Sequence, residues 1–196
     1  VGAISVDLSA TPAGPLTAPG ATTLSWTTTG DPDSCDAANY WSGTDIHNGD
    51  PVTERSGMPA DTYLFTLICH KAGTTDALDT ATVVVNPPAP TVTLTAPAGA
   101  TAYAPFTVSW SSSNATAVTA SSLAPIGCTF TGGAVGATEL TGSRTVTCTT
   151  TGAKTFTMTV KNSANVTASD ARSTTVNPVG AISVDLSATP AGPLTA

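Results

Sequence analysis

Apolar and small polar residues alternate along much of the chain. Ile4, Val6 and Leu8 are separated by Ser5 and Asp7, Phe106, Val108 and Trp110 by Thr107 and Ser109, and Phe156, Met158 and Val160 by Thr157 and Thr159; Val92 and Leu94 open a further run. A period of two with one apolar face predicts half-buried antiparallel strands. Turn residues punctuate the pattern at Pro12-Ala13-Gly14, Pro19-Gly20, Asn48-Gly49-Asp50, Gly73, Gly132-Gly133 and Gly152, as they do between the short strands of a sandwich. No stretch combines helical spacing with helix formers, so the predicted class is all-β.

The chain also repeats itself. Residues 1–18, VGAISVDLSATPAGPLTA, recur letter for letter as residues 179–196, an offset of 178 residues. Convergence would keep the apolar alternation without keeping every Ser, Thr and Ala, so the recurrence marks a duplicated period. The expectation is a window on a longer tandem array, against the alternative of a subunit whose duplicated end segments exchange between neighbours. Inside the period a weaker repeat keeps its order: Leu24-Ser25-Trp26 matches Val108-Ser109-Trp110, Phe65, Leu67 and Cys69 match Phe156, Met158 and Val160, and Val85-Asn86-Pro87 matches Val176-Asn177-Pro178. Three segments follow: residues 1–87, residues 88–178, and residues 179–196 as the start of another copy of the first. Seven or so strands per segment predict tandem β-sandwiches of immunoglobulin type.

Composition narrows the roles open to such an array. Charged residues make up only 10% of the 196, and six Lys and Arg against thirteen Asp and Glu give a net charge of −7 and a pI near 4.3. No basic surface exists to hold a nucleic-acid backbone, and no apolar run approaches the roughly 20 residues of a membrane-spanning helix. Val1 follows no charged-then-apolar leader, which reads as a mature, soluble segment. The abundant Thr is β-branched and turns an uncharged hydroxyl to water, so it suits the outer faces of sheets. Uncharged β-rich edges are also templates for pairing, to be covered by neighbours or by sugar.

The first segment, through LSWTTTGDPDSC, YWSG and TYLFTLICHKAG, resembles the bacterial immunoglobulin-like repeats found in tandem in large secreted and cell-surface fibre and adhesin proteins. The resemblance covers roughly residues 20–85 well and the second segment loosely. It implies sandwiches that serve as structural or adhesive modules at a bacterial surface. Trp26 lies where an antibody domain has its first core Cys, so the packing of Trp on an inter-sheet disulfide is altered.

Aligned on their Trp residues, with one residue of slippage at Pro32, the segments place Cys35 opposite Val118 and Cys69 opposite Val160. Both positions change together from Cys to a core aliphatic, so the expected bonds are Cys35–Cys69 and, by remainder, Cys128–Cys148. Bridges of this kind imply an oxidising compartment outside the cytoplasm. Paired short spacings for a thiolate zinc site are absent.

Little in the chain reads as chemistry. His47 and His70 are the only histidines, no Ser or Cys nucleophile has a visible partner, and strand alternation turns His70 away from the core that holds Cys69. Catalysis and cofactors are not expected. Asp31, Asp33 and Asp36 crowd one loop, and Asp45, Asn48 and Asp50 another; these hard oxygen ligands are weak calcium candidates, and their spacing does not match the EF-hand loop. Solvated acidic loops are the expectation, with no metal. Asn114-Ala115-Thr116 and Asn165-Val166-Thr167 match the N-glycosylation acceptor pattern, which a Thr-rich chain also meets by accident. Lys71, Lys154 and Lys161 are the amines available for an internal isopeptide bond, but they sit on late strands. Tyr40-Trp41 would stack on sugar if exposed; the expected role of Trp41 is to cover the Cys35–Cys69 bridge.

Asn86-Pro87-Pro88-Ala89-Pro90 and Asn177-Pro178-Val179-Gly180 join the segments. The first has restricted backbone angles and reads as a stiff spacer. Together these features predict an extracellular or cell-surface fibre, filament or sheath whose partners are copies of the same chain along and beside it. The alternative is the stalk of a giant adhesin with its binding tip elsewhere.

Overall fold

The computed structural model describes residues 2–44, 46 and 53–181. Among these no helix occurs, and the chain is all-β, built as immunoglobulin-like β-sandwiches. Two compact units are present: one runs up to Thr91 and includes Ser113–Ala117 and Lys161–Ala168, the other comprises Val92–Ser112, Val118–Val160 and the residues from Ser169 on.

The first unit contains β1 (Ser5–Thr11), β2 (Leu16–Thr17), β3 (Gly20–Thr29), β4 (Ser34–Asn39), β5 (Thr53–Met58), β6 (Asp61–His70) and β7 (Ala77–Asn86). One sheet has the order β1-β3-β5, the other β2-β7-β6-β4. The chain changes sheets between β1 and β2, where Pro12 and Pro15 cannot donate to a ladder and Gly14 adopts φ 92°. A Cβ on Gly14 would lie 2.9 Å from the Val84 carbonyl oxygen, so only glycine fits this crossing. β2 then runs parallel to β7, with Leu16 opposite Val85, while β1 is antiparallel to β3, with Leu8 opposite Trp26.

The second unit holds all but a terminal residue or two of β8 (Thr91–Thr95), β9 (Gly99–Thr101), β10 (Pro105–Ser113), β11 (Ala117–Ser122), β12 (Cys128–Thr131), β13 (Thr141–Cys148), β14 (Gly152–Lys161) and β15 (Thr167–Asn177). Its sheets are β12-β13-β10-β8 and β11-β14-β15-β9. Here too a short strand, β9, pairs in parallel with the last one, Val176 lying opposite Ala100.

Alternation delivers the cores. In β7, Ala81, Val83 and Val85 are buried while Thr80, Thr82 and Val84 face out. Leu8, Leu24, Trp41, Met58, Phe65 and Leu67 complete the first core, with Trp26 packed against it. In the second unit Leu94, Val108, Val146, Phe156, Met158, Val160 and Val176 are buried, and Phe106 meets Phe156 edge-on at 5.9 Å.

One carboxylate per unit ties the two sheets together. The Leu8 N–H donates to Asp79 Oδ2 at 2.7 Å, and the Leu94 N–H to Asp170 Oδ2 at 2.8 Å. Asp79 and Asp170 each stand six residues before the valine of the shared Val-Asn-Pro ending, so the device belongs to the repeat. A charged acceptor on a backbone N–H is among the stronger hydrogen bonds a sandwich can make.

Another shared position is filled differently. Tyr63 is buried and its hydroxyl donates to the Pro59 carbonyl at 3.0 Å, fixing the turn into β6. The corresponding residue in β14 is Lys154, also buried, whose Nζ donates to Thr150 Oγ1 at 2.6 Å and to the Ile126 carbonyl at 2.9 Å.

Candidate functional site

The four cysteines form two bridges, Cys35–Cys69 and Cys128–Cys148, each inside one unit. Both join residues directly opposite each other on neighbouring strands of one sheet, β4 with β6 and β12 with β13. They therefore staple strand pairs, whereas the antibody bridge joins two sheets. The two staples also sit on different sheets: in the first unit on the sheet containing β7, in the second on the sheet containing β8.

Trp41 is buried in the core that contains both Cys35 and Cys69. Its indole N–H donates to the Thr66 carbonyl at 2.9 Å and its ring lies 5.7 Å from that of Trp26. Tyr40 is exposed and meets Tyr63 edge-on at 5.0 Å. Tyr40-Trp41 consequently does not present two rings for stacking on a sugar.

The acidic residues near β4 serve separate partners. Asp31 is left-handed, with φ 54°, and its carbonyl accepts from Lys71 Nζ at 2.7 Å. The Asp33 carboxylate accepts the Ala72 N–H at 2.8 Å. Asp36 faces His70, whose Nε2 lies 3.6 Å away. Among the described residues no three acidic, His or Cys side chains gather in a cluster able to hold a metal ion. Asp45, His47, Asn48 and Asp50 lie outside the described residues.

His70 ends β6 on the outer face of its sheet, with Nδ1 2.9 Å from Asp76 and the side chain 39% exposed. Its pKa is raised above 6.5, first by the hydrogen bond to Asp76 and then by the charges of Asp76 and Asp36, against a lowering by desolvation. The group is an ion-paired surface histidine.

Asn114 and Asn165 are exposed and both adopt left-handed turns, with φ 56° and 61°. Asn114 Nδ2 donates to the Ala89 carbonyl at 3.2 Å, and Asn165 Oδ1 accepts from Lys161 Nζ at 2.9 Å. Lys71 Nζ is held by the Gly30 and Asp31 carbonyls, and Lys154 as described above. The three lysines thus have settled polar partners.

Two arrangements escaped the sequence reading. Arg144 is clamped by Glu139 through two bonds of 2.7 Å, reaches the Gly133 carbonyl through Nε at 3.0 Å, and lies 5.2 Å above the Trp110 ring. The clamp pins the connection from β12 to β13 and holds the Glu139 carboxyl below its ordinary range, chiefly through the hydrogen bond from Arg144. The other is an apolar outer face on β6 and β7, where Leu64, Leu78 and Val84 are 42%, 60% and 38% exposed. The run Tyr63 to Cys69 is apolar on both faces apart from Thr66, which disguised its outward members as core.

No protein-family model and no curated protein matches the chain. Among solved structures it is similar to the fibronectin(III)-like modules of Clostridium thermocellum CbhA, at 13% identity over 90% of this chain and 95% of that one, with a TM-score of 0.32. It is also similar to the three N-terminal domains of the bacteriophage RB49 outer capsid protein Hoc, at 12% identity over 88% and 58% with a TM-score of 0.32. A three-Ig-domain stretch of titin matches at 12% identity over 83% and 62%, with a TM-score of 0.33.

Proposed function

We propose that the chain is a structural repeat of an extracellular fibre, assembled from tandem, disulfide-stapled immunoglobulin-like sandwiches of which 178 residues form one period. The observation that carries this reading is the recurrence of residues 1–18 as 179–196. In the first unit that same stretch provides β1 and β2, which lie at the edges of both sheets and place Leu8 and Leu16 against the core. A second copy of this stretch is the part of a sandwich with which another identical unit begins. The two staples support export, since such bonds persist in oxidising surroundings. Mechanically, each unit brings its own core, carboxylate tie and bridge, so copies add length without each needing its neighbour to fold.

The role is structural rather than catalytic, and the partners are further copies of the chain. Sequencing of the gene on both sides of this stretch tests the reading: further copies at 178-residue offsets are expected, and a single occurrence sinks it. Imaging of the native material separates the forms of the array. Multi-chain fibres are expected, whereas isolated beaded threads would favour the stalk of an adhesin.

A further inference from the structure

The repeat within the chain provides an internal control for what each sheet face needs. Matching Phe65 with Phe156 and Val85-Asn86 with Val176-Asn177 sets Leu64, Ile68, Leu78 and Val84 against Thr155, Thr159, Ser169 and Thr175. These are outward positions, since their neighbours Phe65, Leu67, Cys69, Val83 and Val85 are buried. In the second unit the hydroxyls bond each other across strands, Thr159 to Ser169 at 2.8 Å and Thr155 to Ser173 at 3.1 Å. In the first unit Ile68 stands directly opposite Leu78 in the ladder, an apolar pair where the other unit has a hydroxyl pair. The other sheet of the first unit is also polar outside: Ser5 bonds Thr29 and Ser9 bonds Ser25. The fold therefore does not require apolar residues at these four positions, and in water they are a cost unless something covers them.

We infer that this face pairs with the same face of a second copy of the chain. The middle of the face, Leu64, Ile68, Leu78 and Val84 with Thr80, Thr82 and the buried, Asn39-capped Thr66 between them, carries no charge, so two copies meet without burying an unpaired ion. The charged groups lie at one end, where Asp36, opposite Ile68 in the ladder, and Asp76 both face His70. A two-fold axis that sets the strands of the two copies antiparallel sends those ends to opposite sides of the pair. The sheet offers on the order of 500 Å² per copy at strand spacings of about 4.8 Å, hence roughly 1,000 Å² in a pair, the lower limit of a specific interface. One such contact is weak and reversible. An array presents the face once per period, and the contacts then act together as chains align side by side. The pairing rests on the array reading only for this last step, because it is a property of the single chain.

Sedimentation equilibrium of the 196-residue chain tests it. Dimers are expected in the upper micromolar range. The variant Leu64→Thr/Ile68→Thr/Leu78→Ser/Val84→Thr carries the residues of the second unit and is expected to dissociate at least tenfold more readily with an unchanged circular dichroism spectrum. The reciprocal variant Thr155→Leu/Thr159→Ile/Ser169→Leu/Thr175→Val should associate at least tenfold more tightly than the parent, and it decides the matter if the first variant fails to fold. A parent chain that stays monomeric at millimolar concentration overturns the inference, as does association that the first variant retains in full. Neither result touches the array reading, which stands on the flanking sequence.

Discussion

Asp79 and Asp170 show how much one side chain can hold in these sandwiches. Each accepts a backbone N–H from the first strand of the opposite sheet at 2.7–2.8 Å. Replacing either by Ala leaves a partly buried donor without its acceptor, for a loss of about 1.5–3 kcal/mol. Urea unfolding of Asp79→Ala and Asp170→Ala should show that loss, with Asn at the same position recovering part of it because one acceptor oxygen remains. Equal stability of the Ala variants and the parent would remove the tie. In a Thr-rich strand a lone Asp reads as a solvated surface residue, so only the comparison of the two halves could have singled it out.

His70 supplies a pH signature at the same scale. Its folded pKa is raised above 6.5 by Asp76 and Asp36, the carboxylates that face it from the loop before β7 and from β4. The imidazolium is therefore favoured in the folded chain. Its contribution is fully present below pH 6.5 and is lost as pH rises through the higher folded value. The pair is well exposed, so solvent screening keeps the effect small. Melting temperatures measured from pH 5 to 9 should fall slightly more in the parent than in His70→Gln; identical profiles would show that the ion pair contributes nothing.

At the scale of elements, most strands were legible because one face is wet and the other dry. Ala77–Asn86 buries its residues at 81, 83 and 85 as a period of two demands. The parallel β2 and β9 were not legible: at two and three residues they hold too few positions for any period to register, and the prolines and glycine around β2 read as a turn. The outward residues of β6 were hidden for the opposite reason, since a strand apolar on both faces has no alternation to read. The bridges could be paired from the changes shared by the two halves, but which sheet they staple depends on register. Each bridge closes a loop, with sequence separations of 34 and 20, and chain entropy assigns them about 3–4 kcal/mol apiece. Calorimetry of Cys35→Ala/Cys69→Ala and of Cys128→Ala/Cys148→Ala should find losses of that order, and a loss near zero would mean that the strand pair is already fixed by its ladder. The clamp between Glu139 and Arg144 pins an element that carries no strand signal. Arg144→Lys keeps the charge but gives up the forked geometry and the face of Trp110, for an expected loss of about 1 kcal/mol by urea unfolding; full retention of stability would show that the fork is not needed.

For the whole molecule the decisive quantity is the balance of charge. All six cations are engaged locally: Arg55 with the Tyr40 carbonyl, Lys71 with Gly30 and Asp31, Arg144 with Glu139, Lys154 with Ile126 and Thr150, Lys161 with Asn165, and Arg172 with Asp170. A net charge of −7 makes two copies repel, and the six Lys and Arg are already drawn to local partners. Association through uncharged surface has the opposite dependence on salt from association through ions. Added salt screens the mutual repulsion within a Debye length of about 8–10 Å, and sulfate strengthens the burial of apolar area. The weight-average mass of the chain should therefore rise with sodium chloride, rise further with sodium sulfate at equal ionic strength, and rise again as pH falls from 7 towards the pI near 4.3. Light scattering across these conditions checks the order, and an assembly that salt dissolves would have to be held by ion pairs.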